Sequence, residues 1–173
     1  KRMLAFSGIS HAGFMLMTLL TMATAANNLL YYTFAYGLAG IAAFAVIIHV
    51  TKNKEDEAIF NFNGLGKTNP LMAAALTASL LSMAGIPIFS RFFAKFMLFT
   101  DTIKSGFIAI VIVAVINSII SIGYYFKLIL AMYTKEATAE KESISSVYTI
   151  VAVLAIILNI IIGINPSLVL NLM

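Results

Sequence analysis

The sequence predicts an all-α protein, a polytopic transmembrane helical bundle of about five spans, one of them discontinuous. Of its 173 residues, 61% are hydrophobic and only 10% are charged, and the mean hydropathy is +1.00. Roughly a quarter of the residues in a soluble domain are charged, because its surface meets water. The apolar runs are too long and unbroken for barrel strands, and helices satisfy their own backbone polar groups in lipid. This composition excludes a soluble enzyme, a secreted disulfide scaffold and a disordered linker.

Five hydrophobic stretches are separated by polar segments, and we expect residues 1–173 to form a single transmembrane domain. The first two stretches are joined by Asn27 and Asn28, which predict a tight turn between antiparallel neighbours. In order, the elements are a stretch over 3–26, a second over 29–50, a polar loop over 52–69, a third stretch over 70–103, a fourth over 106–133, a polar linker over 134–143 and a last stretch over 144–164.

The third stretch is interrupted by Gly85-Ile86-Pro87. Proline has no backbone N–H, and its ring clashes with the carbonyl four residues earlier, so the helix kinks or breaks at Pro87. We expect a non-helical step there, with the carbonyl of Met83 facing a polar cavity.

The positive charges favour one broken span over a hairpin of two short spans. Cytoplasmic loops concentrate Lys and Arg. With a hairpin, six loop cations would lie on one side of the membrane and two on the other. With a single broken span, seven lie on one side and only Lys104 lies on the outer side. The polar loops are then cytoplasmic and the C-terminus lies outside. The seven cytoplasmic cations are Lys1, Arg2, Lys52, Lys54, Lys67, Lys135 and Lys141.

Charge and cysteine content limit the partners and cofactors. The net charge is +4, but no basic cluster resembles a nucleic-acid surface, so we expect no nucleic-acid partner. Because cysteine is absent, the chain can form no disulfide, thiolate zinc site or iron–sulfur cluster. We expect no metal or cofactor in this chain, and any electron transfer belongs to another subunit. The start at Lys1-Arg2 indicates a C-terminal piece of a longer protein.

Three cations lie inside predicted membrane segments, where charge is expensive. Arg91 and Lys95 are four residues apart and share a face of the half-helix beyond the break. Discontinuous helices of this kind line polar cavities in transporters. Lys95 lies too deep to snorkel easily, so we expect it to be functional. For Arg91 and for Lys127, which follows Tyr124-Tyr125-Phe126, snorkelling to the interface is the alternative.

His11 lies more than two turns into the first stretch, among small and polar residues. Imidazole can give and take a proton near neutral pH, so a buried His11 suits a proton relay. A structural hydrogen bond to a neighbouring helix explains it equally well. His49 is one turn from Lys52 and is expected at the interface. A haem bound between His11 and His49 would need both at the same depth in the membrane, so we expect no such haem.

Three motifs resemble the antiporter-like membrane subunits of respiratory complex I. Residues 1–14, KRMLAFSGISHAGF, are similar to the family signature KRxLAYSSIxHxGY. Residues 83–96, MAGIPIFSRFFAKF, resemble LAGIPxxxGFFGKF, and residues 117–133 resemble NSxxSxYYYLR…MY. The resemblance covers almost the whole chain in order. It implies helices 10 to 14 of fourteen, with helix 12 broken.

The resemblance also assigns residues. The family lysine of the broken helix falls on Lys95, and the family histidine falls on His11. Two family glycines are replaced by Arg91 and Ala94, so Arg91 places an extra cation beside Lys95 and is a candidate electrostatic modulator. Within this family, a lysine instead of a glutamate at position 95 favours the subunit N type over the subunit M type.

The function implied by the resemblance is proton translocation in NADH:quinone oxidoreductase, driven by quinone reduction elsewhere in the complex. Lys95, His11 and Lys127 would carry protons with water, and no residue of this chain would be a redox catalyst. Quinone, NADH, FMN and iron–sulfur clusters would belong to partner subunits. The partners would be other membrane subunits and the lipid of the cell inner membrane. A Na⁺/H⁺ antiporter subunit, a membrane-bound hydrogenase chain and a structural scaffold are the alternatives.

Overall fold

The computed structural model describes residues 1–21, 25–52, 54, 56, 58–137 and 146–171. These residues are helical or irregular, with no strand among them, and four helical segments are long and apolar enough to cross a membrane. The predicted all-α membrane bundle is confirmed. The helices are α1 (Arg2–Met17, continued by a 3₁₀ turn over Thr18–Leu20), α2 (Ala25–Thr51), α3 (Leu65–Thr68), α4 (Pro70–Ala84), α5 (Ser90–Lys104), α6 (Ile108–Thr134), α7 (Ser146–Ile164) and α8 (Ser167–Leu170), with a further 3₁₀ turn over Ile59–Phe62.

Parts of the two polar segments lie outside the described residues. These parts are Asn53, Glu55 and Glu57 of the first loop, and positions 138–145 of the second linker, including Lys141.

The predicted turn at Asn27 and Asn28 is wrong, because both residues lie in the first turn of α2, which begins at Ala25. Asparagine is a weak helix former, but tertiary contacts override propensity. Asn28 is buried, and its Nδ2 donates to Oδ2 of Asp101 at 2.9 Å. This contact between α2 and α5 favours a helical conformation where the local sequence indicates a turn.

The chain is non-helical from Gly85 to Phe89, between α4 and α5. The last turn of α4 closes with a Schellman motif, in which Ile86 N–H donates to Leu81 O at 3.1 Å and Gly85 N–H donates to Ser82 O at 3.0 Å. Gly85 has φ +88°, a left-handed conformation that glycine adopts without strain. Pro87 then prevents the helix from continuing directly.

The two halves of the broken helix follow one another along α6. Thr77 of α4 contacts Tyr133 near the end of α6, and its Oγ1 lies 3.2 Å from the hydroxyl. Lys95 of α5 contacts Ser118 near the middle of α6 at 3.3 Å. α5 ends at Lys104, close in sequence to the start of α6. As the chain proceeds along α4 and then α5, its contacts move steadily from the end of α6 toward its start. Both halves therefore run antiparallel to α6, as in one broken span, whereas the two helices of a hairpin would run in opposite directions.

The centre of the bundle is α2, which packs against α4, α5 and α7. Its buried face is formed by alanines, and small residues let neighbouring helices approach closely. The outward faces of α6 and α7 are apolar and exposed in this chain, as expected for surfaces that meet lipid or another membrane subunit. The alanines Ala35, Ala39, Ala42 and Ala43 are all fully buried.

Candidate functional site

A buried arginine and a histidine meet near the break. Arg91 lies in the first turn of α5 and is 0% exposed. Its Nη2 donates to Nδ1 of His11 on α1 and, at 3.3 Å, to the hydroxyl of Tyr32 on α2. The guanidinium also lies 5.4 and 5.0 Å from the ring centroids of Tyr32 and Tyr36. A cation in the first turn opposes the helix dipole, so these contacts offset an unfavourable position.

The guanidinium is incompletely hydrogen-bonded. Among the residues that the structure describes, Nε and Nη1 of Arg91 have no hydrogen-bond partner. The two tyrosine faces stabilise the charge through cation–π interactions instead.

These contacts define the tautomer of His11. Arginine has only donors, so Nδ1 of His11 acts as an acceptor, and the hydroxyl of Tyr32 approaches the same nitrogen at 2.8 Å. The ring proton therefore lies on Nε2, which donates to the hydroxyl of Tyr125 at 3.2 Å. The Tyr125 hydroxyl is in turn hydrogen-bonded to Oγ of Ser7. His11 is thus a neutral imidazole that links α2, α5 and α6 to α1.

Lys95 lies one turn beyond Arg91 and has different surroundings. It is 6% exposed, and its Nζ donates to the Ala84 carbonyl at 3.2 Å and to Oγ of Ser118 at 3.3 Å. A Cβ at Gly85 would lie 3.2 Å from Cδ of Lys95, so the glycine leaves room for the lysine stem. The break therefore supplies both the space and a hydrogen-bond acceptor for this side chain.

This environment is suited to a lysine that gains and loses a proton. The Ala84 carbonyl can only accept, and it accepts from either an ammonium or an amine. The Ser118 hydroxyl can accept from the ammonium or donate to the lone pair of the amine. Both protonation states of Lys95 are hydrogen-bonded by the same two partners.

Phe14 contacts both Lys95 and His11. Nζ of Lys95 lies 5.1 Å from the Phe14 ring centroid, and the His11 and Phe14 centroids are 5.8 Å apart. No direct hydrogen bond joins the lysine to the histidine in the described part of the chain. The lysine and the histidine are thus neighbours of the same aromatic ring.

Facing polar stripes on α1 and α6 extend the site. Ser10 Oγ lies 3.4 Å from Oδ1 of Asn117, and the Tyr124 hydroxyl donates to Oγ of Ser121 at 3.0 Å. The α6 stripe from Asn117 to Tyr125 covers about 12 Å of helix axis. The stripes comprise Ser7, Ser10 and His11 on α1, and Asn117, Ser118, Ser121, Tyr124 and Tyr125 on α6.

Two sequence expectations differ from the structure. Lys127 lies on an exposed face of α6 and is not brought to the cluster around His11 and Lys95. The carbonyl that the break presents to Lys95 is that of Ala84, not that of Met83. The Schellman motif uses the carbonyls of Leu81 and Ser82, and Lys95 meets the last carbonyl of the helix.

Sequence reasoning missed the tyrosines that surround Arg91 and His11. Tyr32 and Tyr125 are fully buried, although aromatic residues in membrane helices are ordinarily interpreted as packing or as an interfacial belt. The signal for Tyr125 was present, because positions 117, 121 and 125 recur at the i+4 spacing of one helix face. No three His, Asp or Glu side chains within the described ranges lie close enough to hold a metal ion.

Comparison with known proteins supports the family resemblance. Residues 1–121 match the family profile described as NADH:quinone oxidoreductase/Mrp antiporter, TM. The NADH-quinone oxidoreductase subunit N of Flavobacterium johnsoniae is 66% identical over 173 residues, which is 100% of this chain and 37% of that protein. The corresponding subunit of Flavobacterium psychrophilum is 59% identical over 100% of this chain and 38% of its own length. The chain thus spans less than two-fifths of these relatives.

Two solved structures have the same fold. A chain of respiratory complex I from Thermus thermophilus with bound aureothin has a TM-score of 0.87 and 30% identity, over 99% of this chain and 39% of that one. A chain of the Mrp complex from a Dietzia species has a TM-score of 0.80 at 23% identity, over 96% of this chain and 40% of that one, a likeness of fold alone. The chain belongs to the NADH:quinone oxidoreductase/Mrp antiporter transmembrane family.

Proposed function

We propose that this chain forms one transmembrane domain of a proton-translocating subunit of NADH:quinone oxidoreductase, and that Lys95 takes up and releases the translocated proton. The names of the relatives support the complex, but the chain spans only 37% of the first of them. The observation that carries the proposal is the pair of Lys95 partners, the Ala84 carbonyl and the Ser118 hydroxyl.

The mechanism at Lys95 requires only that one hydroxyl reverse its direction. The ammonium passes a proton to Ser118 Oγ while the Ser118 hydroxyl passes its own proton to a water molecule, and Ser118 then donates to the amine. The Ala84 carbonyl keeps its hydrogen bond throughout. Ala84 and Ser118 thus both stay hydrogen-bonded to Nζ in the two states, and a buried polar group that lost such a partner would cost about 1–3 kcal/mol. An arginine in this place would stay charged at any accessible pH.

His11 passes protons in this proposal without holding a charge for long. Its Nε2 proton can move to the Tyr125 hydroxyl as Tyr125 passes its own proton through Ser7 to water, while Nδ1 receives a proton from Tyr32, which water then reprotonates. Arg91 supplies a fixed positive charge beside the ring and acts as an electrostatic modulator. Because no direct hydrogen bond joins His11 to Lys95 among the described residues, transfer between them requires a bridging water or a side-chain movement.

Redox chemistry belongs to other subunits in this proposal. Quinone, NADH, FMN and iron–sulfur clusters would be bound there, and other membrane subunits of the complex would flank the apolar outer faces of this chain. A subunit of a cation/proton antiporter is the second candidate, favoured by the fold shared with the Mrp complex. Co-purification with flavin and iron–sulfur subunits would support the first candidate, and their absence from the purified complex would support the second.

The sidedness is also part of the proposal, with the polar loops in the cytoplasm and the C-terminus outside. The chain has no native cysteine, so single cysteines report position cleanly. Cysteines at Asn61 and at Thr138, which is outside the described residues, should be labelled only from the cytoplasm, and a cysteine at Asn171 only from outside. Labelling of Asn61 and Asn171 from the same side would reject this topology.

The function is tested by replacing Lys95 in the whole complex. Lys95→Ala should assemble and strongly reduce proton translocation in proteoliposomes, measured with a pH-sensitive dye during NADH oxidation. The matched control is Lys104→Ala on the same helix, since the Lys104 side chain is 73% exposed. Full translocation by an assembled Lys95→Ala complex would remove Lys95 from the mechanism.

A further inference from the structure

A buried amide connects the last helix to the first half of the broken one. Asn159 is fully buried in the middle of the apolar helix α7. Its Oδ1 accepts from Oγ of Ser82 at 3.0 Å, and its Nδ2 donates to the Ala35 carbonyl at 3.3 Å. Ser82 lies in the last turn of α4, next to the carbonyls that end this helix. Asn159 therefore fixes the end of α4 against α2 and α7.

One turn further along α7, Gly163 lies directly against the backbone on the other side of the break. A Cβ at this glycine would lie 2.4 Å from the Ile88 carbonyl oxygen and 2.5 Å from the Ser90 nitrogen. No side chain fits such a gap without moving the backbone. The adjacent Ile162 carbonyl accepts from the buried Tyr31 hydroxyl at 3.0 Å, which ties this part of α7 to α2.

The backbone that Gly163 meets is itself in an unfavourable conformation. Ile88 has φ +93°, where a β-branched residue is strained by about 1–3 kcal/mol. Its side chain is 65% exposed in this chain, so burial of its own side chain is not what holds it there. The close packing of α7 against residues 88–90 can stabilise this conformation instead.

We propose that Asn159 and Gly163 are positioning residues for proton transfer, because they hold the two sides of the break at the separation that places Lys95 Nζ against the Ala84 carbonyl. Ala84 belongs to the side fixed by Asn159, and Lys95 belongs to the helix that begins beside Gly163. The 3.2 Å contact between them crosses the break. This inference rests on the proposed function of Lys95.

Ordinary helix packing would predict a different result from positioning. If Asn159 and Gly163 only stabilise the bundle, their loss lowers the amount of assembled complex and leaves the protons moved per electron unchanged. If they position Lys95, the assembled complex itself becomes less effective. The ratio of protons to electrons in assembled complex is therefore the readout that separates the two.

The chain offers matched control variants. Gly163→Ala is compared with Gly40→Ala, since a Cβ at Gly40 of α2 meets nothing within 4 Å. Ser82→Ala, which removes the hydrogen bond to Asn159, is compared with Ser79→Ala. Ser79 is an equally buried serine on α4 whose hydroxyl donates to its own helix, to Ala75 O at 2.8 Å.

All four variants and Lys95→Ala are made in the complete complex and reconstituted in proteoliposomes. A displacement of about 1 Å can reduce a reaction about 100-fold, so we expect translocation per electron in Gly163→Ala to fall at least about tenfold below Gly40→Ala. Ser82→Ala should fall about twofold or more below Ser79→Ala, by loss of one hydrogen bond. If Gly163→Ala fails to assemble, the comparison of Ser82→Ala with Ser79→Ala tests the proposal by itself.

The positioning role would be overturned if Ser82→Ala, and Gly163→Ala where it assembles, moved as many protons per electron as their controls. With Lys95→Ala inactive in the same assay, that result leaves the proposed function intact. If Lys95→Ala also translocates normally, the proposed function itself fails.

Discussion

Arg91 and Lys95 lie one turn apart on α5, and the structure treats these two cations differently. Arg91 is enclosed by an imidazole and two tyrosines, all of which suit a permanent cation. Lys95 is enclosed by a carbonyl at the break and a hydroxyl of α6, which suit both an ammonium and an amine. The comparison shows that depth alone does not define a proton carrier. The partners must also accommodate the state without the proton.

The break serves Lys95 and not Arg91. Gly85 leaves space for the lysine stem, and the end of α4 supplies a carbonyl that no further helical turn uses. Among the described residues, the hydrogen bonds and cation–π contacts of Arg91 are with side chains of α1 and α2. A straight helix could still place Arg91 beside His11, but it would not present the Ala84 carbonyl to Lys95.

The largest expected change in stability follows from removing the histidine next to Arg91. His11→Phe keeps a ring but deprives a fully buried guanidinium of a neutral acceptor, and a hydrogen bond to a charged group is worth about 1.5–3 kcal/mol. In an Arg91→Gly background the same change should cost about 1 kcal/mol, since only neutral hydrogen bonds are lost. The thermal inactivation midpoint of the assembled complex measures both. Equal shifts in the two backgrounds would show that Arg91 and His11 are not coupled.

A smaller effect is expected at Gly85, where two variants separate strain from crowding. Gly85→Ala places a side chain at φ +88° and crowds Lys95, whereas Gly106→Ala has a similar φ of +90° and meets nothing within 4 Å. Both should lose about 1–2 kcal/mol from the left-handed conformation, seen as similar shifts in thermal inactivation. Only Gly85→Ala should also reduce proton translocation per electron, and a reduction of the same size in Gly106→Ala would contradict the role given to the break.

The smallest effect is expected at Lys127. The sequence places this lysine among the proton carriers, but its side chain is exposed in this chain and lies outside the cluster. Lys127→Ala should therefore retain at least about half of the translocation rate, as for a surface substitution worth about 0.5 kcal/mol or less. A loss as large as that of Lys95→Ala would place Lys127 in the path.

The sequence was informative where one residue type determines the local structure. Pro87 and Gly85 indicated the interruption, and the depth of Lys95 and His11 identified the two groups at the centre of the site. It was uninformative where distant residues meet, because Arg91 and His11 are 80 positions apart and the bond between them has no local pattern. Asn28 is a case of the same kind, since its contact with Asp101 overrides a local turn signal.

Proton release by Lys95 is tested most directly by Lys95→Arg. Arginine keeps the positive charge and the donors but does not deprotonate at accessible pH. In assembled complex in proteoliposomes, we predict that Lys95→Arg translocates as few protons per electron as Lys95→Ala, with Lys104→Arg unchanged. Translocation by Lys95→Arg at the level of the unsubstituted complex would show that a fixed charge is sufficient at this position, and would contradict the account.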